Sequence, residues 1–172
     1  MSEPLTILLM RHAHAEPDAP GGKDSSRRLD DLGQEEAAAM GELLRDQGLS
    51  PDFVLCSTAR RAEETARWVL SKCSAPATFL VREALYLAEP GQILEALLEV
   101  PDDRRRVLLV GHNPGITELV AVMTKEFRSM PTAAVAEIAV VASTTQAVAS
   151  SPQGRLVNFH LPSLPLPDPS LP

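Results

Sequence analysis

Aromatic side chains are scarce in this 172-residue chain, which has four Phe, one Tyr and one Trp. So few rings leave little to stack on bases, and a formal net charge of −7 offers no cationic face to a phosphate backbone. Both count against nucleic acid as a partner. Cysteine is scarcer still: Cys56 and Cys73 are too few for a disulfide framework. Cys56 also falls in a run that reads as a buried strand, so reduced thiols in a cytoplasmic protein are expected. Missing too is any apolar segment near the eighteen or so residues that a membrane span needs. The opening MSEPLTILLMRH has neither a basic leader nor a clear cleavage site. No membrane partner is expected.

What remains is ordinary for a soluble globular chain, with 44% hydrophobic and 23% charged residues. Residues 1–161 are expected to form one domain, and the Pro-rich residues 162–172 an extended or disordered tail. Three apolar runs organise the domain. Leu5 to Met10 stops at Arg11 and His12; Phe53 to Cys56 stops at Ser57, with Arg60 and Arg61 close behind; Arg106 to Val110 stops at Gly111 and His112. Runs of this length suit strands buried on both faces. In open α/β sheets, ligands bind just beyond the carboxyl ends of such strands.

Between the runs, helical spacing predicts helices over Gly33 to Gln47, capped by Asp30 or Asp31, and over Ala59 to about Lys72, capped by Ser57 or Thr58. A short strand is expected over Thr78 to Val81. Pro90 and Gly91 open a helix whose inner face would be Ile93, Leu94, Leu97 and Leu98, and Ile116, Leu119, Val120 and Met123 stripe another. After Pro131, Ala134 to Val141 and Gly154 to His160 read as strands of an antiparallel hairpin joined by a Ser/Thr-rich loop. The expected fold is therefore a three-layer α/β/α arrangement: a mostly parallel central sheet with an antiparallel C-terminal hairpin at its edge. Residues 13 to 28, rich in Pro, Gly, Ser and Asp, are loop material beside the strand ends and suit a mobile flap.

A neutral imidazole is a competent nucleophile toward phosphorus. Transfer of a phosphoryl group is otherwise a matter of positioning and of cationic stabilisation, which arginine forks supply bidentately. Arg11, His12, Arg61 and His112 are the residues that could do this. Arg11 and His12 would point to opposite faces of a regular strand, so the backbone must leave strand geometry there for both to serve one site. Each piece also has a plain structural reading: a surface Arg-His pair, a Gly-Pro turn, or the solvated charge of a helix face with Glu63 and Glu64. A metal held by His12, His14 and His112 is disfavoured by the flanking arginines. A cysteine phosphatase acting through Cys56 would need arginine six positions on, where Ala62 stands.

LLMRHA, CSTARRAEETA and LLVGHNPG, in this order and spacing, resemble the three signature stretches of the histidine phosphatase superfamily, the phosphoglycerate mutase-like proteins. The short length and RRLDDLGQEEA after a flexible loop are similar to the SixA-type phosphohistidine phosphatase branch. The resemblance implies that His12 is the phosphorylated nucleophile and that Arg11, Arg61 and His112 bind phosphate and assist catalysis, with no cofactor and no metal. It places a proton donor near Glu83; Glu89, Asp18 and Asp24 read as solvated surface carboxylates. Ala13 and the residues after it lack the Ser and Asn of sugar-phosphate mutases. The expected partner is a phosphorylated protein bearing phosphohistidine, in signal transduction; the alternatives are a small phosphorylated metabolite as substrate, or a non-catalytic phosphate-binding module.

Overall fold

The computed structural model describes residues 4–18, 20–74 and 76–164. In chain order its elements are β1 (Thr6–Arg11), α1 (Asp31–Asp46), β2 (Phe53–Ser57), α2 (Arg60–Lys72), β3 (Thr78–Arg82), α3 (Pro90–Ala96), β4 (Arg106–Gly111), α4 (Gly115–Thr124), β5 (Val135–Val140), α5 (Thr145–Ser150) and β6 (Gly154–His160). The six strands form one sheet in the order β3-β2-β4-β1-β5-β6. β1 to β4 run parallel, while β5 is antiparallel to both β1 and β6. The three apolar runs thus occupy adjacent central strands, where a strand is covered on both faces and needs no polar side.

Alternation along those strands builds two cores. Ile7, Leu9, Leu55, Val107 and Leu109 face α3, α4 and α5, packing with Ile93, Leu119 and Val148. Leu8, Met10, Val54, Cys56, Leu108 and Val110 face α1 and α2, packing with Met40, Leu44, Ala66 and Val69. Each fully buried aliphatic side chain contributes roughly 1.5–3 kcal/mol, so the sheet is pinned from both sides. The result is the three-layer architecture expected, with the antiparallel pair at one edge.

Several local expectations need correction. Asp30 alone caps α1, its carboxylate accepting from the Gly33 N–H. Neither Ser57 nor Thr58 caps α2: β2 runs on to Ser57 and the helix starts only at Arg60, with Ala59 as its cap residue. The Ser57 hydroxyl accepts from the Ala59 N–H instead. Leu98 is 53% exposed, because α3 tightens into a 3-10 turn at Leu97–Glu99 and takes Leu98 off the inner face. The loop joining β5 and β6 contains α5, capped by Thr144 through the Ala147 N–H. Of the tail, residues 165–172 lie outside the described residues.

The register of β1 against β4 sets Arg11 opposite Gly111, and the His12 N–H continues the ladder to the Gly111 carbonyl at 3.0 Å. His12 therefore emerges beside His112. No described helix is long and apolar enough to cross a membrane.

Candidate active site

β1 ends at Arg11, and the chain leaves the sheet only after His12, whose N–H and carbonyl still bond the Gly111 carbonyl and the Ala133 N–H. Ala13 is held by its N–H, which donates to Thr65 Oγ1 on α2 at 3.0 Å. The Thr65 hydroxyl donates in turn to the Arg61 carbonyl at 2.7 Å. This bridge ties the first loop residue to the helix that carries Arg61. One turn on, α1 begins so close beneath the loop that a Cβ on Gly33 would collide with the His14 carbonyl; only glycine fits there.

His12 is 9% exposed. Its Nδ1 lies 2.8 Å from the Ala13 carbonyl. A carbonyl can only accept, so Nδ1 carries the proton and Nε2 carries the lone pair. Arg61 Nε donates to that Nε2 at 3.2 Å, which fits the same tautomer. Burial, with the charges of Arg61, Arg11 and Arg27, lowers the His12 pKa to about 4 against the Ala13 hydrogen bond. The ring is neutral at pH 7.

His112 is 3% exposed and faces His12 with ring centroids 5.2 Å apart. Its Nε2 lies 2.7 Å from Ser57 Oγ, and its Nδ1 lies 3.4 Å from Arg61 Nη2. Since the guanidinium only donates, Nδ1 accepts and the proton sits on Nε2, directed to Ser57. Burial, then the charges of His12 and Arg61, bring the His112 pKa down to about 3.

Arg61, 3% exposed, is the hub. Besides the two histidines it donates from Nη1 to the Asp24 carbonyl at 2.8 Å and from Nη2 to Asp24 Oδ2 at 3.0 Å. Arg60, next in sequence, instead pairs with Glu64 at the surface, so one of the two adjacent arginines points inward. Arg11 reaches the Met130 carbonyl through Nη1 at 3.1 Å, while its Nε is a buried donor with no hydrogen-bond partner among the described residues. Burial lowers its pKa and the Glu36 carboxylate opposes the shift. Glu36, itself buried, accepts from the His14 N–H and from Thr132. A cationic pocket with an unused donor suits an anion.

Two residues that the sequence reading left outside the site join this cluster. Asp24, expected at the solvated surface, lies in a 3-10 turn (Asp24–Ser26) against Arg61. Tyr86 donates its hydroxyl to Asp24 Oδ2 at 2.5 Å and sets its ring edge-on to His112 at 5.6 Å. The Tyr86 hydrogen bond, helped by those from Arg27 and Arg61 and opposed by burial, lowers the Asp24 pKa to about 2. Glu83 is exposed on the 3-10 turn Glu83–Leu85, lining a groove of about 500 Å³ with Ser25, Thr58 and Tyr86. His14 turns to Asp30 at 2.6 Å. Cys56 is wholly buried, and burial pushes its thiol up.

Residues 7–85 match the family model described as Histidine phosphatase superfamily (branch 1). Rv1276c of Mycobacterium tuberculosis (strain H37Rv), a protein of uncharacterised function, is 40% identical over 115 residues, which are 66% of this chain and 69% of that one. The chain belongs to the histidine phosphatase superfamily. Among solved structures of similar shape is one from Nakamurella multipartitia, assigned as phosphohistidine phosphatase SixA: TM-score 0.81, 27% identity, 95% of this chain and 99% of that chain covered. Another is the protein histidine phosphatase SixA complexed with tungstate, at TM-score 0.78 and 25% identity, covering 92% and 97%. The superfamily match together with these SixA neighbours marks the protein as a hydrolase of the histidine-nucleophile phosphatase class.

Proposed function

We propose that the protein hydrolyses phosphohistidine on a protein, by way of a phosphoryl group carried covalently on His12. The observation that carries this reading is the fixed tautomer of His12, whose Nδ1 proton is spent on Ala13 while the Nε2 lone pair faces the Arg61 guanidinium.

In the first step the Nε2 lone pair attacks phosphorus and the P–N bond to the substrate imidazole breaks. That imidazole leaves with the bonding pair and takes up a proton. Arg11 and Arg61 donate to the equatorial oxygens, where charge develops, and His112 joins them as a donor when the bound dianion draws a proton onto its Nδ1. In the second step a water oxygen attacks phosphorus and the P–Nε2 bond breaks. The pair returns to His12, the water proton leaves with phosphate or bulk solvent, and the neutral ring is restored.

The choice of phosphohistidine rests on the acid. An alkoxide leaving group needs a proton in the transition state, and a positioned general acid typically supplies ~10²–10⁴ of the rate. Among the described residues the carboxyl that touches the cluster is Asp24, held ionised with its pKa near 2, so it donates nothing at neutral pH. Glu83 stands exposed at the edge of the neighbouring groove. An imidazole, which protonates readily as it departs, is the leaving group that such a site serves best. Its bearer would be a cytoplasmic signalling or phosphotransfer protein.

The test sets a phosphohistidine-bearing domain beside a panel of phosphate monoesters, with wild type and His12→Ala. Preference for phosphohistidine that vanishes in the variant is the expected result. Preference for a monoester would transfer the reading to a metabolite. Phosphate binding without turnover would leave a binding module.

A further inference from the structure

The proposed reaction has no use for the strongest contact of its own arginine. Both terminal nitrogens of Arg61 point at Asp24: Nη1 to its backbone carbonyl at 2.8 Å, Nη2 to its carboxylate at 3.0 Å. The carboxylate is fastened further by Tyr86 at 2.5 Å and by Arg27 Nη1 at 3.1 Å. A carboxylate edge and a phosphoryl edge present the same pair of anionic oxygens to a guanidinium fork. Asp24 meets one end of the fork with its peptide carbonyl and the other with a carboxylate oxygen, so a negative charge already stands where the reaction must place the phosphoryl group.

We infer that Asp24 is a resident competitor for the phosphoryl subsite on Arg61, setting a threshold that favours phosphorylated proteins over free phosphate and small phosphorylated compounds. This rests on the reading of Arg61 as a phosphoryl-binding residue. A free anion must displace the carboxylate with its own charge alone. A protein substrate also meets the exposed outer side of the same loop, at Gly22, Lys23 and Arg28, and contacts there help to draw Asp24 off the fork. Inorganic phosphate, the product, is held back by the same carboxylate, so the site clears after turnover. Asp24 acts on specificity through its own charge, and Tyr86 acts through Asp24 as a positioning residue.

The experiment measures the affinity of inorganic phosphate for the full chain by calorimetry. Asp24→Asn keeps the shape and removes the charge, and is expected to bind phosphate at least about tenfold more tightly. Tyr86→Phe frees one tie and is expected to tighten binding by about threefold; it decides the matter if the Asp24 variant fails to fold. A merely structural role for either residue would weaken binding or leave it alone, and either result would overturn the inference. Arg61→Ala keeps the two readings apart. If it abolishes phosphate binding while Asp24→Asn binds no tighter than wild type, the phosphoryl role of Arg61 stands and the competitor falls. If it binds phosphate as wild type does, both fall.

Discussion

Two buried neutral histidines should make the protein sensitive to mild acid, by an amount that can be worked out. The pKa of His12 is lowered from 6.5 to about 4 and that of His112 to about 3. In the unfolded chain both rings protonate as pH falls through about 6.5; in the folded protein neither does until far lower. Between those limits the unfolded state binds more protons, so stability falls as pH falls. Above 6.5 the two rings contribute nothing, and below the folded values the penalty stops growing, at about 3 kcal/mol for His12. At pH 5 each histidine costs about 2 kcal/mol relative to pH 7, and the pair up to about 4 kcal/mol, a large part of the 5–15 kcal/mol typical of a domain. Asp24 does not confuse the comparison: its lowered pKa contributes stability that is lost only as pH falls from 3.8 through about 2. Urea unfolding at pH 7 and pH 5 should show this loss in wild type, with about half of it gone in His12→Asn or His112→Asn. A loss below about 1 kcal/mol in wild type, or an unchanged loss in both variants, would mean that the rings are not held neutral. The acid limb of turnover due to His12 should accordingly sit near pH 4, leaving the rate flat through neutrality on its account.

Other expectations follow from single contacts. Thr65→Val leaves the buried Ala13 N–H unpaired, at a cost of about 1–3 kcal/mol; because the Ala13 carbonyl orients His12, turnover should fall by more than substrate affinity does. Gly33→Ala drives a methyl into the His14 carbonyl and should cost about 1–3 kcal/mol, read as a fall in Tm of a few degrees or more. Glu83→Gln should leave phosphohistidine turnover within about threefold, whereas a loss near the ~10²–10⁴ of a general acid would restore it as the proton donor.

The parts of the fold that were legible are those where burial demands a run. β1, β2 and β4 are covered on both faces, so their sequences carry no polar alternation and announce themselves. α5 hid because Thr145–Ser150 is short and built of small residues that serve a loop equally well; its one signal is Thr144, three residues before Ala147. Leu98 departs from its predicted face because the apolar spacing fits one continued helix, whereas the last turn tightens. At the site, Arg11, His12, Arg61 and His112 stand at strand ends and could be picked out by position. Asp24 could not. Its surroundings of Gly, Lys and Ser are those of a surface loop, and what draws its carboxylate in is Arg61, which lies 37 residues on. Tyr86 likewise stands among carboxylates and alanines with nothing to mark that its hydroxyl ends on Asp24.

His12 and His112 stand side by side because β1 and β4 pair in register, although a hundred residues separate them in the chain. Contacts between residues so far apart form late, since the loop entropy must be spent before the pairing rewards it. During refolding the helices and the β2–β3 pairing can form while the two rings are still apart. Recovery of phosphate binding is then a clock for the β1–β4 pairing, and a chain cut off before β4 would keep His12 and Arg61 without the ring that faces them.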